Sequence, residues 1–260
     1  MRVPGRLSDP PLTAHTFVPM LYAMPAVPKS SGRSPFAPMN IKLIIFDLDG
    51  TLVDTAADMA DALNDVLPCN IPPVSVEEAR TVMGGGEDTL ASRLSRERSD
   101  LDQREFRKRF AEAYAVHLSV HTKLYPGVRG TLRKLSVCSK VVLSNRRTDL
   151  VMPVLERFKL LPYFVDVIGG DSGAGMKPSP GPVLHALGRL AVKPDETIVV
   201  GDCIYDIDAG RAAGVRTVAV TYGYGVDRSF VERADFAINR FPRLLRVIAQ
   251  LDCPPHPAKP

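Results

Sequence analysis

Residues 44–55 read IIFDLDGTLVDT. An apolar run of the kind that forms a buried parallel strand ends in two aspartates, Asp47 and Asp49, with one leucine between them and a Gly-Thr straight after. Burying an unpaired carboxylate is costly. Two of them at the end of a strand therefore demand a partner, and the reading of the chain turns on what that partner is.

Outward from this stretch, apolar strand-like runs recur at 41–46, 140–144, 164–168, 197–200, 217–220 and 235–238. Helical patterns follow at 149–158, 180–190, 206–213 and 242–251. Continuous apolar strands alternating with helices indicate an α/β fold, a doubly wound parallel sheet of Rossmann-like type covered on both faces. One interval breaks the rhythm. Between the first two strands lie about ninety residues rich in helix signals, too many for a loop. Met59, Leu63, Val66 and Leu67 share one helical face; Ser75 and Glu78 have capping-box spacing before a helix ending at Gly84. Phe106, Phe110, Ala113 and Tyr114 make a further apolar face. The spacing predicts an all-helical insert over 58–123 in a core made of 39–57 and 124–251.

Of 260 residues, 45% are hydrophobic and 24% charged, an ordinary globular balance. No apolar run approaches the ~20 residues of a membrane span, so a soluble chain with no membrane partner is expected. Arg2, Arg6, Lys29 and Arg33 against Asp9 account for most of the net +4, leaving the remainder near neutral. The basic run REFRKRF, 104–110, reads as a solvated helix face, and no nucleic-acid partner is expected. Cys69, Cys138, Cys203 and Cys253 lack any paired spacing, which fits reduced thiols in a cytoplasmic protein. Residues 1–38 hold eight of the 23 prolines and no hydrophobic period. They read as a disordered leader, or as sequence upstream of a translation start at Met39, and 252–260 as a disordered tail.

In an open parallel sheet, ligands bind beyond the carboxyl ends of the strands. Asp47 and Asp49, Ser144 and Asn145, and Gly201 and Asp202 all fall there, with Lys177 arriving from the loop after the third strand and Asp206 close behind Asp202. Singly, such residues are often helix caps; as an ordered set they describe one crevice. The partner the carboxylates demand is a cation, and oxygen ligands without histidine or thiolate select Mg²⁺ over zinc. At ~4 Å and an effective dielectric of about 20, a unit charge on an approaching phosphate repels each carboxylate by ~4 kcal/mol. Mg²⁺ and the Lys177 ammonium would reverse that. Asp171, Asp208, His117, His121 and His185 read as structural or surface residues.

FDLDGTLVDT, VVLSN, MKPSP and VGDCIYD resemble, in order and spacing, the four motifs of the haloacid dehalogenase-like phosphatases. The resemblance spans 41–251 and places a helical cap after the first motif. It implies that Asp47 is the nucleophile forming an aspartyl-phosphate and also a Mg²⁺ ligand. Asp49 would be the general acid, then base, and would bind the metal through its carbonyl. A free aspartate has a pKa of ~3.9, so acting as an acid near neutrality needs an upward shift. Ser144 would donate to a phosphoryl oxygen, and Lys177 would neutralise phosphate and hold Asp47. Asp202 would bind Mg²⁺ directly, and Asp206 would be a ligand or orient bound water.

YPGV, VIGGD and TYGYG are further similar to the phosphoglycolate phosphatase branch. That implies a small phosphorylated metabolite, 2-phosphoglycolate, as substrate. The turn in MGGGEDTL, with Gly84, Gly85 and Gly86, offers backbone amides to a small anion. Arg146 stands where that branch often carries lysine, beside Asn145, and is a candidate for the substrate carboxylate. A beta-phosphoglucomutase-like mutase shares this scaffold and both aspartates, but many mutases carry an acidic residue where this chain has Gly201. A true dehalogenase would not require the acid that Asp49 supplies. Phosphonate hydrolysis would need a cap lysine, and Lys108 and Lys123 read as surface residues. A catalytically silent binding module is the remaining alternative. Monomer and homodimer are equally compatible with the sequence.

Overall fold

The computed structural model describes residues 41–67, 72–82, 103–225 and 229–252. The expected leader, Cys69, Cys253, the tail beyond residue 252 and the glycines at 84, 85 and 86 lie outside them.

β1 (Leu43–Phe46) is fully buried along its length. It pairs in parallel with β4 (Ser139–Leu143) on one side and β6 (Thr197–Gly201) on the other. Adding β5 (Asp166–Ile168), β7 (Arg216–Val220) and β8 (Phe236–Ile238) gives a six-stranded parallel sheet in the order β5-β4-β1-β6-β7-β8. The chain runs from β1 out to β5, then crosses back to the other flank of β1. The order therefore reverses at β1, where a doubly wound sheet opens its crevice.

Alternation along β1 feeds two cores. Ile44 and Phe46 join Val128 and Leu132 of α4 (Val128–Lys134), Val151 and Val154 of α5 (Thr148–Arg157), and Val247 of α9 (Leu244–Asp252). Leu43 and Ile45 face the opposite way, toward Val183 and Leu187 of α6 (Gly181–Leu190) and Ala209 of α7 (Ile204–Ala212). A strand with both faces buried cannot show a polar alternation, which is why LIIF is apolar throughout. The Phe46 ring lies 6.2 Å from Phe164, edge-on, and 5.7 Å from Phe241.

The expected helical faces meet. Met59, Leu63 and Val66 of α1 (Ala56–Val66) pack with Ala79 of α2 (Val76–Val82) and with Phe106, Phe110 and Tyr114 of α3 (Gln103–His117). Leu150 of α5 joins this cluster from the sheet side. The capping box before α2 is formed reciprocally: Ser75 N donates to Glu78 Oε2 at 2.7 Å, and Glu78 N donates to Ser75 Oγ at 3.2 Å. Asp58, wholly buried in the first turn of α1, accepts from the amides of His121 at 2.5 Å and Thr122 at 3.1 Å.

Three elements differ from the sequence reading. β2 (Val53–Asp54) and β3 (Lys123–Leu124) form a small antiparallel pair where the chain leaves and re-enters the core. Two-residue strands carry no readable period. α4, a helix the sequence patterns did not single out, follows an N-cap at Gly127, whose φ of 83° is left-handed. A β-carbon there would meet Pro242 Cγ at 2.4 Å. α8 (Ser229–Arg233) is a single short turn of helix before β8. His185 is exposed and His117 pairs with Asp65 at 2.6 Å, so these histidines do sit on helix surfaces.

Because Phe46 is sealed between the helices of one face, Phe46→Ala should destabilise the chain by about 3–5 kcal/mol. Leu184→Ala, half exposed on α6, should cost well under half of that. Urea unfolding of the two variants checks the contrast; equal costs would contradict the packing described.

Candidate active site

The register sets the site. Phe46 lies opposite Val142 of β4 and Val200 of β6, so Asp47 emerges level with the ends of both neighbours. Its amide donates to Val200 O at 2.9 Å, which continues the ladder one residue past the strand. Asp47, Ser144, Asn145, Lys177, Asp202 and Asp206 are all buried at this edge.

Lys177 ties the group together. Its Nζ donates to Asp47 Oδ1 at 2.6 Å, to Asp206 Oδ1 at 2.6 Å and to Leu143 O at 3.0 Å. An ammonium has three protons, and all three are used. Burial works against its charge, yet Asp206 and Asp47 outweigh that and hold the lysine protonated, above its ordinary range. Asn145 fixes where the lysine starts: its Nδ2 donates to Lys177 O and its Oδ1 accepts from Lys177 N, both at 2.8 Å. The Asn145 carboxamide is thus engaged with the lysine's own backbone. Ser144 Oγ accepts from the Arg146 amide at 3.1 Å. A hydroxyl that accepts from an amide still has its proton to donate.

Asp202 sits in a cradle of missing side chains. A β-carbon on Gly50 would fall 2.1 Å from its Oδ2, and one on Gly223 would fall 2.3 Å from its Cβ. Tyr224 N donates to the same Oδ2 at 2.5 Å. At Gly50 the backbone is also left-handed, with φ 84°, so two separate constraints demand glycine there. Gly201 makes the equivalent room for Asp206, whose Cγ would lie 2.1 Å from a new β-carbon.

The donor set fits a hard divalent cation. Three buried carboxylates, Asp47, Asp202 and Asp206, face a single ammonium. Burial raises Asp47 to about 7, with Lys177 opposing and Asp206 and Asp49 adding to the rise. Burial likewise lifts Asp202 well above its usual range, with Asp47 and Asp206 reinforcing it. A divalent ion would relieve that strain. Asp202, Cys203 and Asp206 offer ligand atoms within 4.8 Å of one another, but the cysteine is a poor donor here. Burial, then the charges of Asp206 and Asp202, keep it a thiol, and its Sγ donates to Asp206 Oδ2 at 3.1 Å. Asp206 Oδ2 also accepts from Cys203 N at 3.2 Å. With Lys177 on its other oxygen, Asp206 is arranged to orient its neighbours, and Asp47 and Asp202 are the carboxylates that would hold a cation.

Asp49 leaves this cluster. Its Oδ1 accepts from Thr55 Oγ1 at 2.6 Å and from Arg146 Nη2 at 2.8 Å. Arg146, expected to await a substrate carboxylate, is buried and already engaged: its Nη1 donates to Tyr114 Oη, and its guanidinium lies 4.3 Å from that ring's centroid. Asp49 and Asp58 thus serve different ends, one held by Thr55 and Arg146 and one clamping a loop.

Residues absent from the sequence reading complete the surroundings. Tyr224 Oη donates to Asp54 Oδ1 at 2.8 Å and accepts from Thr55 N at 2.6 Å. Arg80 of α2 pairs with Asp54 at 2.7 Å and lies 5.1 Å above the Tyr224 ring. Burial tends to raise Asp54, but hydrogen bonds from Arg80 and Tyr224 win and hold it below the usual carboxylate range. The signals were present in TYGYG and in the last two letters of IIFDLDGTLVDT. Only the folded chain shows that they touch.

Gly201→Ala should displace the Asp206 carboxylate and with it one of the two acidic anchors of Lys177. Activity is expected to fall at least about 100-fold, while urea stability falls by about 1–3 kcal/mol. A variant with unchanged turnover would show that Asp206 can be moved without consequence.

Comparison with known proteins agrees with this geometry. The family model described as haloacid dehalogenase-like hydrolase matches residues 44–220. A phosphoglycolate phosphatase of Chromobacterium violaceum is 38% identical over 215 residues, covering 79% of this chain and 95% of that protein. Phosphoglycolate phosphatase 1 of Pseudomonas aeruginosa is 35% identical, covering 78% of each chain. The crystal structure of a predicted phosphoglycolate phosphatase from Haemophilus somnus is similar with a TM-score of 0.75 and 31% identity, covering 81% of this chain and 99% of that one. The matched segment carries every motif whose side chains converge beyond β1, β4 and β6, and the chain belongs to the haloacid dehalogenase-like hydrolases.

Proposed function

We propose that this phosphatase removes the phosphoryl group of 2-phosphoglycolate through an aspartyl-phosphate on Asp47, releasing glycolate and phosphate. The observation that carries the reading is the Lys177 ammonium bridging Asp47 and Asp206 at 2.6 Å each, beyond the carboxyl end of β1. That contact holds a nucleophilic carboxylate beside a fixed positive charge, where an incoming phosphate is otherwise repelled. The substrate assignment is supported by the similarity to phosphoglycolate phosphatases at 33–38% identity.

In this reading Asp47 attacks phosphorus and the ester oxygen departs with a proton from Asp49. Among the described residues, both donors to Asp49 grip Oδ1, which leaves Oδ2 to carry that proton. Asp49 then takes a proton from water as the water attacks the aspartyl-phosphate, and Asp47 is regenerated. Ser144 donates its hydroxyl to a phosphoryl oxygen, and Asn145 serves by fixing the Lys177 backbone. Asp47 and Asp202 would hold Mg²⁺, helped by the Asp49 carbonyl, with Asp206 orienting; bound there, the ion supplies charge neutralisation for the phosphoryl group. The segment 58–123 acts as a cap, on the ground that α1, α2 and α3 pack into a hydrophobic cluster apart from the two that flank the sheet, with Leu150 of α5 joining it from the core. Among the described residues no helix is long and apolar enough to cross a membrane. Cys138 and Cys203 are free thiols, and a cytoplasmic home suits them.

The test is kcat/KM for 2-phosphoglycolate against β-glucose 1-phosphate, with Mg²⁺ and with EDTA. Turnover of 2-phosphoglycolate should dominate and vanish on chelation, and Asp47→Asn should form no phosphoenzyme. A preference for the sugar, or isomerisation to glucose 6-phosphate without net phosphate release, would replace the hydrolase with a mutase. Full turnover in EDTA would remove the metal from the mechanism.

A further inference from the structure

Tyr114 is wholly buried on α3, in a row of rings: its centroid lies 5.9 Å from that of Phe110, which lies 6.3 Å from that of Phe106. Phenylalanine would complete that apolar row as well as tyrosine does, and it would avoid burying a hydroxyl. A buried hydroxyl costs free energy unless it is hydrogen-bonded. Here the partner is the Arg146 guanidinium, through Nη1. The same guanidinium lies against the Tyr114 ring and donates through Nη2 to Asp49 Oδ1 at 2.8 Å.

Arginine is a long, flexible side chain, and one contact would leave its plane free to turn. Two terminal nitrogens on two different partners fix that plane. Its backbone is fixed as well, by the amide bond to Ser144 Oγ at 3.1 Å. Asp49 is then held on one oxygen from two directions, by Thr55 from its own loop at 2.6 Å and by Arg146 from β4's side of the crevice. The second hold is only as firm as Tyr114 makes it.

We propose that Tyr114 is a positioning residue for the leaving-group acid: it fixes Arg146, which fixes Asp49 Oδ1 and so sets where Oδ2 points. The inference rests on reading Asp49 as the acid. It gives Arg146 a task other than meeting the substrate carboxylate, and it links the acid to a helix of the cap segment. Removing the hydroxyl releases one end of the guanidinium without touching the substrate or the Asp47 nucleophile.

The experiment compares the wild type, Tyr114→Phe, Asp49→Asn and the double variant, using kcat/KM for 2-phosphoglycolate and for 4-nitrophenyl phosphate. The first substrate leaves as an alkoxide that needs a proton; 4-nitrophenolate departs without one. kcat/KM reports the phosphoryl transfer to Asp47 and not the later hydrolysis. Tyr114→Phe should lose about ten-fold on 2-phosphoglycolate and less than about three-fold on 4-nitrophenyl phosphate, the size expected for one charge-assisted hydrogen bond. On the Asp49→Asn background, Tyr114→Phe should cause no further loss, because the residues act in series. Equal losses on both substrates in Tyr114→Phe, no loss on either, or a full loss persisting in the double variant would overturn the inference. The last outcome would instead return Arg146 to the substrate. If Asp49→Asn itself fails to distinguish the two substrates, the assignment of the acid falls, and that failure is separate from any behaviour of Tyr114. Thermal melting of each variant guards against a folding defect: a Tyr114→Phe chain that melts with the wild type and still shows the selective loss sustains the proposal.

Discussion

The Lys177 ammonium, closed between Asp47 and Asp206, is the contact on which the rest of the site depends. Three buried carboxylates in one crevice would repel one another and take up protons; one lysine in their midst allows Asp47 to be held at a fixed place beside them. Removing a single partner from such a buried pair typically costs 3–5 kcal/mol, because the charge left behind has nothing to face. Much of the local architecture serves this ammonium. Leu143 lends its carbonyl from the end of β4, Asn145 clasps the lysine's backbone from the next turn, and Gly201 stays bare so that Asp206 can reach it.

A second tier of contacts supports Asp202 in a different manner. Its surroundings are made of absent atoms, at Gly50 and Gly223, and of a main-chain amide at Tyr224. Tyr224 is itself pinned by Asp54 and the Thr55 amide, and Arg80 covers its ring. The loop after β7 therefore supports Asp202 and meets, at its tyrosine, the stretch that leads into α1. A mutation in that loop acts on Asp202 although it removes no side-chain partner of that carboxylate.

The parallel sheet and the converging residues Asp47, Asp202 and Lys177 were legible because each rests on a local pattern: an apolar run, a turn, an acid at a strand end; the strand order was not, since an apolar run does not record which neighbour it pairs with. Ser75 with Glu78 was legible for the same reason, being a contact between near neighbours. Arg146 was not. Its position after Ser144 and Asn145 was plain, but its partner is Tyr114, thirty-two positions earlier and on a separate helix, and no periodicity records which buried hydroxyl meets which guanidinium. Tyr224 was noticed only as part of a resemblance, since a backbone amide that holds Asp202 leaves no trace in residue type. The β2–β3 pair escaped because two residues are too few to show alternation.

The sheet order has a consequence for the way the chain becomes active. Among the described residues β1 is the earliest strand made, yet both its neighbours come much later, and the bond from Lys177 to Asp47 spans 130 positions. Such distant pairings form slowly, because a long loop must close before any contact rewards it. Until β6 docks, LIIF has one edge open, and an open apolar strand edge is prone to pair with another chain. Catalysis and protection from aggregation thus arrive in the same event, the insertion of β6 alongside β1. A newly made chain carries Asp47 early and cannot bring it together with Lys177 and Asp202 until most of the polypeptide has been synthesised.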